Sequence, residues 1–154
     1  MNVLVVGAHP DDEILGLGGT LCKHVQKNDN VIVVIFADGE SARNNSKKKI
    51  LIRKNQAKKA AAIIGIQKII FLDFPDQRLD SQSSLILAKK LEKIISDYSP
   101  EIIYTHFWGD VNQDHKKIFE ITLIATRPTP NSKIKKIICF ETPSSTEWGN
   151  QIFN

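Results

Sequence analysis

Val3-Leu4-Val5-Val6 followed by Gly7-Ala8-His9-Pro10-Asp11-Asp12-Glu13 decides how this chain is read. A short apolar run, a turn and then a helical pattern describe a buried strand handing over to a helix. That junction is where doubly wound α/β folds place their ligands. Where the turn is glycine-rich it cradles phosphate. This one carries one imidazole and three carboxylates, which repel an anion and attract a cation. The position points to a ligand site, and the side chains point to a metal.

Outward from that turn, β-branched runs alternate with helical patterns. Strands are expected at 3–6, 31–36, 68–72, 102–105 and 134–140, and helices near 13–26, 48–64, 83–97 and 113–126. Alternation of this kind implies right-handed βαβ units. The fold class is therefore α/β, a Rossmann-like three-layer sandwich with a mostly parallel sheet. The 154 residues form a single domain, 1–154, with no repeat or linker. Pro128 and Pro130 close the last helix.

Helix periodicity orients the polar residues. Ile50, Arg53, Ala57, Ala60, Ala61 and Ile64 share one face of the second helix, with Arg53 near its N-terminal end. His115, Ile118, Thr122 and Ala125 share a face of the fourth, with His115 at its start. In a parallel sheet, helix N-termini lie at the carboxyl edge of the strands. Arg53 and His115 are thus aimed at the edge that carries His9 and Asp12.

Pro10 holds His9 extended and suits the first turn of a helix, with Asp11 and Asp12 beside it. One carboxylate is free to bind a metal while the other faces water. Gly16, Gly18 and Gly19 each weaken the following helix by about 1 kcal/mol relative to Ala, as a close approach to a strand or substrate would require. A second polar cluster follows the fourth strand: His106, Asp110, Asn112, Asp114 and His115. His9, Asp12 and His115 together make a two-histidine, one-carboxylate set, which suits zinc or non-haem iron. Asp114 is placed to hold a histidine tautomer. The plainer alternative is that His9 and Asp12 cap a helix and His115 sits on the surface.

Ala8-His9-Pro10-Asp11-Asp12-Glu13, the Ala37-Asp38-Gly39-Glu40 turn and the Asp114-His115 pair resemble the PIG-L/LmbE-like zinc-dependent N-acetylglucosaminyl deacetylases. The resemblance implies a zinc site, or an Fe2+ site, formed by His9, Asp12 and His115, with Asp11 as general base. Arg53, within Arg-x-x-Gln, resembles the family's substrate-contacting arginine. The implied reaction removes acetate from an N-acetylated amino sugar or its conjugate. Two features depart from the family. Asn112 stands where many members have a histidine, so Asp11 or His106 would have to protonate the leaving amine. Members also usually continue further, so a C-terminal portion usual in the family is expected to be missing.

Other polar residues have weaker signals. Asp38 and Glu40 lie on the ligand edge, placed to contact substrate or support the metal. Asp73, Asp76, Arg78 and Asp80 fit either sugar contacts or ordinary turns. His24 falls on the expected solvent side of the first helix. Trp108 and Trp148 sit in loops, where burial is the first expectation and sugar stacking the second.

Bulk properties set the remaining bounds. The net charge of +4 comes from lysines spread over several faces without interleaved aromatics, which argues against nucleic acid. Cys22 and Cys139 lack CxxC partners, so neither a disulfide framework nor a thiolate zinc site is expected. The first strand is too short and too soon broken by charge for a signal peptide or membrane span, and a cytoplasmic protein is expected. The expected partner is a small amino-sugar substrate, with homo-oligomerisation left open. A non-catalytic metal-binding member of the same fold is one rival. The other is a magnesium-binding receiver domain using Asp11, Asp12, Asp73 and Thr105, but it lacks the required lysine at Cys139-Phe140-Glu141 and has no use for His9 or His115.

Overall fold

A computed structural model describes residues 1–43, 46–130 and 132–149. The elements run β1 (Asn2–Gly7), α1 (Asp12–Gln26), β2 (Asn30–Ala37), α2 (Lys47–Ile64), β3 (Lys68–Phe74), α3 (Ser84–Tyr98), β4 (Ile102–His106), α4 (Gln113–Ala125) and β5 (Lys136–Phe140). A single 3-10 turn, Thr146–Trp148, follows. The five strands form one sheet in the order β3-β2-β1-β4-β5. Every pairing is parallel.

Alternation along the strands divides the core. Leu4, Val6, Ile32, Val34 and Ile103 face α3 and α4, packing with Leu87, Leu91, Ile118 and Ile121. Val3, Val5, Val31, Val33 and Ile35 face α1 and α2, packing with Leu17, Leu21 and Ala61. Strands covered on both faces need continuous apolar runs, which is why β1 and β2 read as they do. Each such fully buried side chain contributes about 1.5–3 kcal/mol. β3 and β5 are the edges and are more exposed.

The order reverses between β1 and β4, so their carboxyl ends flank the crevice where open α/β sheets bind ligands. The turn after β1 and the loop after β4 both empty into it.

Local differences from the sequence expectation have physical causes. The last strand begins at Lys136 rather than Ile134, because Ile134 turns to pack against the α3–α4 core. Pro10 lies before the helix, and Asp11 is the cap residue at φ 151°. Gly16 is explained by close approach: a Cβ there would lie 2.5 Å from the Glu141 carbonyl and from Phe140. Gly19 is not, since nothing lies within 4 Å of its Cβ position. His24 is not a solvent-facing bystander: its ring bonds Asp29 at 2.7 Å and the Tyr104 hydroxyl at 2.9 Å. Trp108 and Trp148 are not buried, being 63% and 72% exposed. Among the described residues no helix is long and apolar enough to cross a membrane.

Candidate metal centre

The backbone between β1 and α1 turns sharply, with the Asp11 and Asp12 amides both donating to the His9 carbonyl, at 3.0 and 3.3 Å. Asp11 holds a φ that side chains rarely adopt, so the turn is strained and must be fastened by its surroundings. Two of the fastenings are its own carboxylates. Asp12 Oδ2 accepts the His9 N–H at 2.8 Å, and Glu13 Oε2 accepts the Asp11 N–H at 3.1 Å.

His9, Asp12 and His115 are all buried and present their ligand atoms to one another. His9 Nδ1 lies 3.3 Å from His115 Nε2. Asp12 Oδ2 lies 3.4 Å from each of those nitrogens. The opposite ring nitrogens are engaged elsewhere. His9 Nε2 bonds Asp114 Oδ2 at 2.9 Å, and His115 Nδ1 bonds Asp110 Oδ2 at 3.0 Å. With the ring protons so committed, Nδ1 of His9 and Nε2 of His115 face each other and a carboxylate oxygen with lone pairs only. Such a cluster needs a cation at its middle.

Three ligand atoms 3.3–3.4 Å apart can each reach a single cation placed among them.

Each supporting carboxylate is itself held. Asp114 accepts the backbone N–H groups of Gln77 and Leu79, at 2.8 and 2.9 Å. Asp110 accepts hydroxyls from Ser145 at 2.9 Å and Thr146 at 2.6 Å. The loop after β5 is thereby tied to the carboxylate that orients His115.

Electrostatics follow from burial against these pairings. Burial opposes a charge on His9, yet its bonds to Asp114, Asp12 and Asp76 outweigh it and raise the pKa well above the ordinary value. Burial opposes charge on His115 too, but Asp110 and Asp12 push it up to about 9. Asp12, which burial alone would raise, is held well below the usual carboxylate range by His106, His115 and His9. The site therefore demands positive charge, which protons supply when no metal does.

Asp11 points into a cavity of about 500 Å3 whose walls also include His9, Asp12, His115, Arg53 and Asn112. Its Oδ2 accepts from Arg53 Nη2 at 2.7 Å. Burial and the neighbouring Asp12 charge still leave its pKa raised, despite Arg53. The Asn112 side-chain oxygen caps α4 by accepting the Asp114 N–H at 2.9 Å, which leaves its NH2 group free to donate.

Several expected site residues lie elsewhere. His106 is fully buried, stacked 3.9 Å from the His115 ring, and its Nε2 accepts the Ala8 N–H at 3.0 Å. It is not among the cavity-lining residues, so it buttresses His115 and does not reach a leaving amine. Asp114 likewise works from behind His9. Asp38 closes its own turn by accepting the Glu40 and Ser41 amides, both at 2.8 Å. Glu40 pairs with Arg53 Nη1 at 3.1 Å. Neither lines the cavity, so both shape the arginine's surroundings.

Gln77, Ser144 and Ser145 do line it, and Asp76 both lines it and approaches His9 Nε2 at 3.1 Å. Gln77 and the two serines carried no periodic signal, since they come from loops. The receiver reading finds no support: Asp73 pairs with Lys54, and Thr105 bonds Thr122 at 3.1 Å, away from the cavity.

The family model for GlcNAc-PI de-N-acetylase, PIG-L, matches residues 4–126. The chain belongs to the PIG-L family. An Escherichia coli K12 relative described as the uncharacterized deacetylase YaiS is 32% identical over 94% of this chain and 75% of its own length. The N,N′-diacetylchitobiose deacetylase from Pyrococcus horikoshii, solved with an inhibitor, superposes with a TM-score of 0.73. It is 24% identical and is matched over 86% of this chain, which spans 52% of that protein. A 4-carboxy-2-hydroxymuconate hydratase from Pseudomonas putida KT2440 also shares the fold, at a TM-score of 0.69 and 25% identity. That likeness covers 90% of this chain and 61% of the hydratase. The chain thus spans 52% to 75% of the lengths of these three proteins.

Proposed function

We propose that this PIG-L protein is a zinc-dependent N-deacetylase that releases acetate from an N-acetylglucosamine-containing substrate. The observation that carries the reading is the triangle of His9 Nδ1, His115 Nε2 and Asp12 Oδ2, with the Asp11 carboxylate standing beside it in the same cavity. Family membership supplies the class of substrate.

His9, Asp12 and His115 would hold the ion, which supplies a Lewis acid and makes water acidic enough to attack near neutral pH. Asp11 takes the proton of that attacking water on the oxygen that Arg53 leaves free. Its raised pKa suits a base that must hold a proton and then return it. The Asn112 NH2 group is placed to donate to the oxyanion that develops on the acetyl carbonyl oxygen. Breakage of the C–N bond then leaves acetate and an amine, and Asp11 returns its proton to that nitrogen. This route needs neither His106 nor the histidine that Asn112 replaces.

Acetate release from N-acetylglucosamine conjugates, assayed with added zinc and after chelation, tests the reading. Zinc-dependent release supports it. Stoichiometric zinc without release from any of them would favour a non-catalytic member. Hydration of 4-carboxy-2-hydroxymuconate, the reaction for which the Pseudomonas putida protein is named, would replace it.

A further inference from the structure

Trp148 is the structural oddity of the cavity wall. An indole is large and apolar, yet this one is 72% exposed. It lines the same cavity as His9, Asp12 and His115. Exposed aromatic surface beside convergent polar groups is a mark of ligand sites.

The segment that carries it is not a loose loop. Ser145 and Thr146 donate to Asp110, the Thr146 hydroxyl also accepts the Thr142 N–H at 2.8 Å, and the Trp148 N–H donates to the Ser145 carbonyl at 3.1 Å. Gly149 lies so close to the loop after β4 that a Cβ there would meet the Gly109 carbonyl at 2.5 Å. Ser144, beside the cavity, holds a left-handed φ of 128°, a strained conformation that its surroundings must enforce. The indole is thus positioned by the network that orients His115.

We infer that Trp148 is the stacking platform of a subsite for a second pyranose ring, the sugar joined to the N-acetylglucosamine unit being deacetylated. The inference rests on the proposed function for its substrate class. The metal triangle and Asp11 take the acetamido group at the cavity floor, whereas the exposed indole stands at the rim, where the rest of a conjugate must pass. A pyranose offers a face of C–H groups that matches an indole in width and apolarity, with hydroxyls left at its edge for water. Trp108, comparably exposed but packed on Phe107 outside the cavity lining, serves as the control.

The test uses zinc-loaded wild type and the Trp148→Ala, Trp148→Phe and Trp108→Ala variants with N,N′-diacetylchitobiose. Binding is measured by calorimetry in an Asp11→Asn background, so that ligand is not consumed, and acetate release is measured in the native background. Trp148→Ala is expected to weaken binding and raise KM about 10-fold, the loss of one good stacking contact. Its kcat should stay within about 3-fold and its zinc content should not change. Phenylalanine should recover most of the affinity, and Trp108→Ala should match wild type. Unchanged binding in Trp148→Ala, or no binding by the Trp148-intact protein, overturns the subsite. Trp148-dependent binding without acetate release upholds the subsite and rejects the deacetylase reading.

Discussion

His9 Nδ1 and His115 Nε2 face each other at 3.3 Å across the crevice between β1 and β4, although 106 residues separate them in the chain. Their other ring nitrogens are held by Asp114 and Asp110. The pair is therefore an arrangement built to share something between them, and the carboxylate of Asp12 completes its third side.

The supporting carboxylates should matter nearly as much as the ligands. Asp110→Asn removes the negative charge that faces His115 Nδ1, and Asp114→Asn removes one that faces His9 Nε2. Each is expected to weaken zinc binding about 10- to 100-fold, read by competition with a chromophoric chelator. Affinity equal to wild type in both variants would mean that the rings are oriented by packing alone.

Asp11 should separate binding from turnover. Its carboxylate is 47% exposed toward the cavity and is not needed to close the metal triangle. Asp11→Asn is expected to retain zinc and lower kcat by about 100- to 10,000-fold, the usual worth of a general base. Steady-state kinetics beside metal analysis gives both quantities, and a loss of zinc would reassign the residue as a ligand.

The metal-free protein should be weakened by alkali. His115 has a folded pKa raised from 6.5 to about 9. A raised histidine contributes stability that is complete below about pH 6.5 and is lost as pH climbs through about 9. The thermal midpoint of metal-free protein should therefore fall over that window. The increase brought by zinc should widen, because an ion replaces the departing protons. A midpoint that rises with pH in the metal-free protein would reverse the sign and reject the argument.

Much of this was legible before the structure. The apolar runs of β1 and β2 and the stripes through Arg53 and His115 carry their burial in their spacing. A helix N-terminus in a parallel sheet has only one edge to face, so His9, Asp12 and His115 could be brought together on paper. What stayed hidden arises from loops and from depth. Gln77 and Ser145 reach the cavity through turns whose direction no periodicity encodes, and Asp76, which the sequence leaves open between a sugar contact and an ordinary turn, lines it too. His106 ends β4, and only the packing shows that its ring lies beneath His115 and not beside the substrate. Trp148, for which burial is the first expectation and sugar stacking the second, is exposed in a segment tied to Asp110 through Ser145 and Thr146.

Two glycines of α1 make a local test of how packing overrides propensity. Gly16→Ala would drive a methyl group into the Glu141 carbonyl and Phe140, and should cost about 1–3 kcal/mol despite better helix propensity. Gly19→Ala meets nothing within 4 Å and should stabilise by about 0.5–1 kcal/mol. Urea denaturation of the two variants distinguishes the cases, and a gain in stability for Gly16→Ala would contradict the close approach of α1 to β5.

The most direct test of the metal centre is the zinc content of purified wild type and His115→Ala by elemental analysis, with circular dichroism to show that both are folded. Zinc at one ion per chain in the wild type, and its absence from a folded His115→Ala protein, is the predicted result. Equal, stoichiometric zinc in the two proteins would contradict the assignment of His9, Asp12 and His115 as the site.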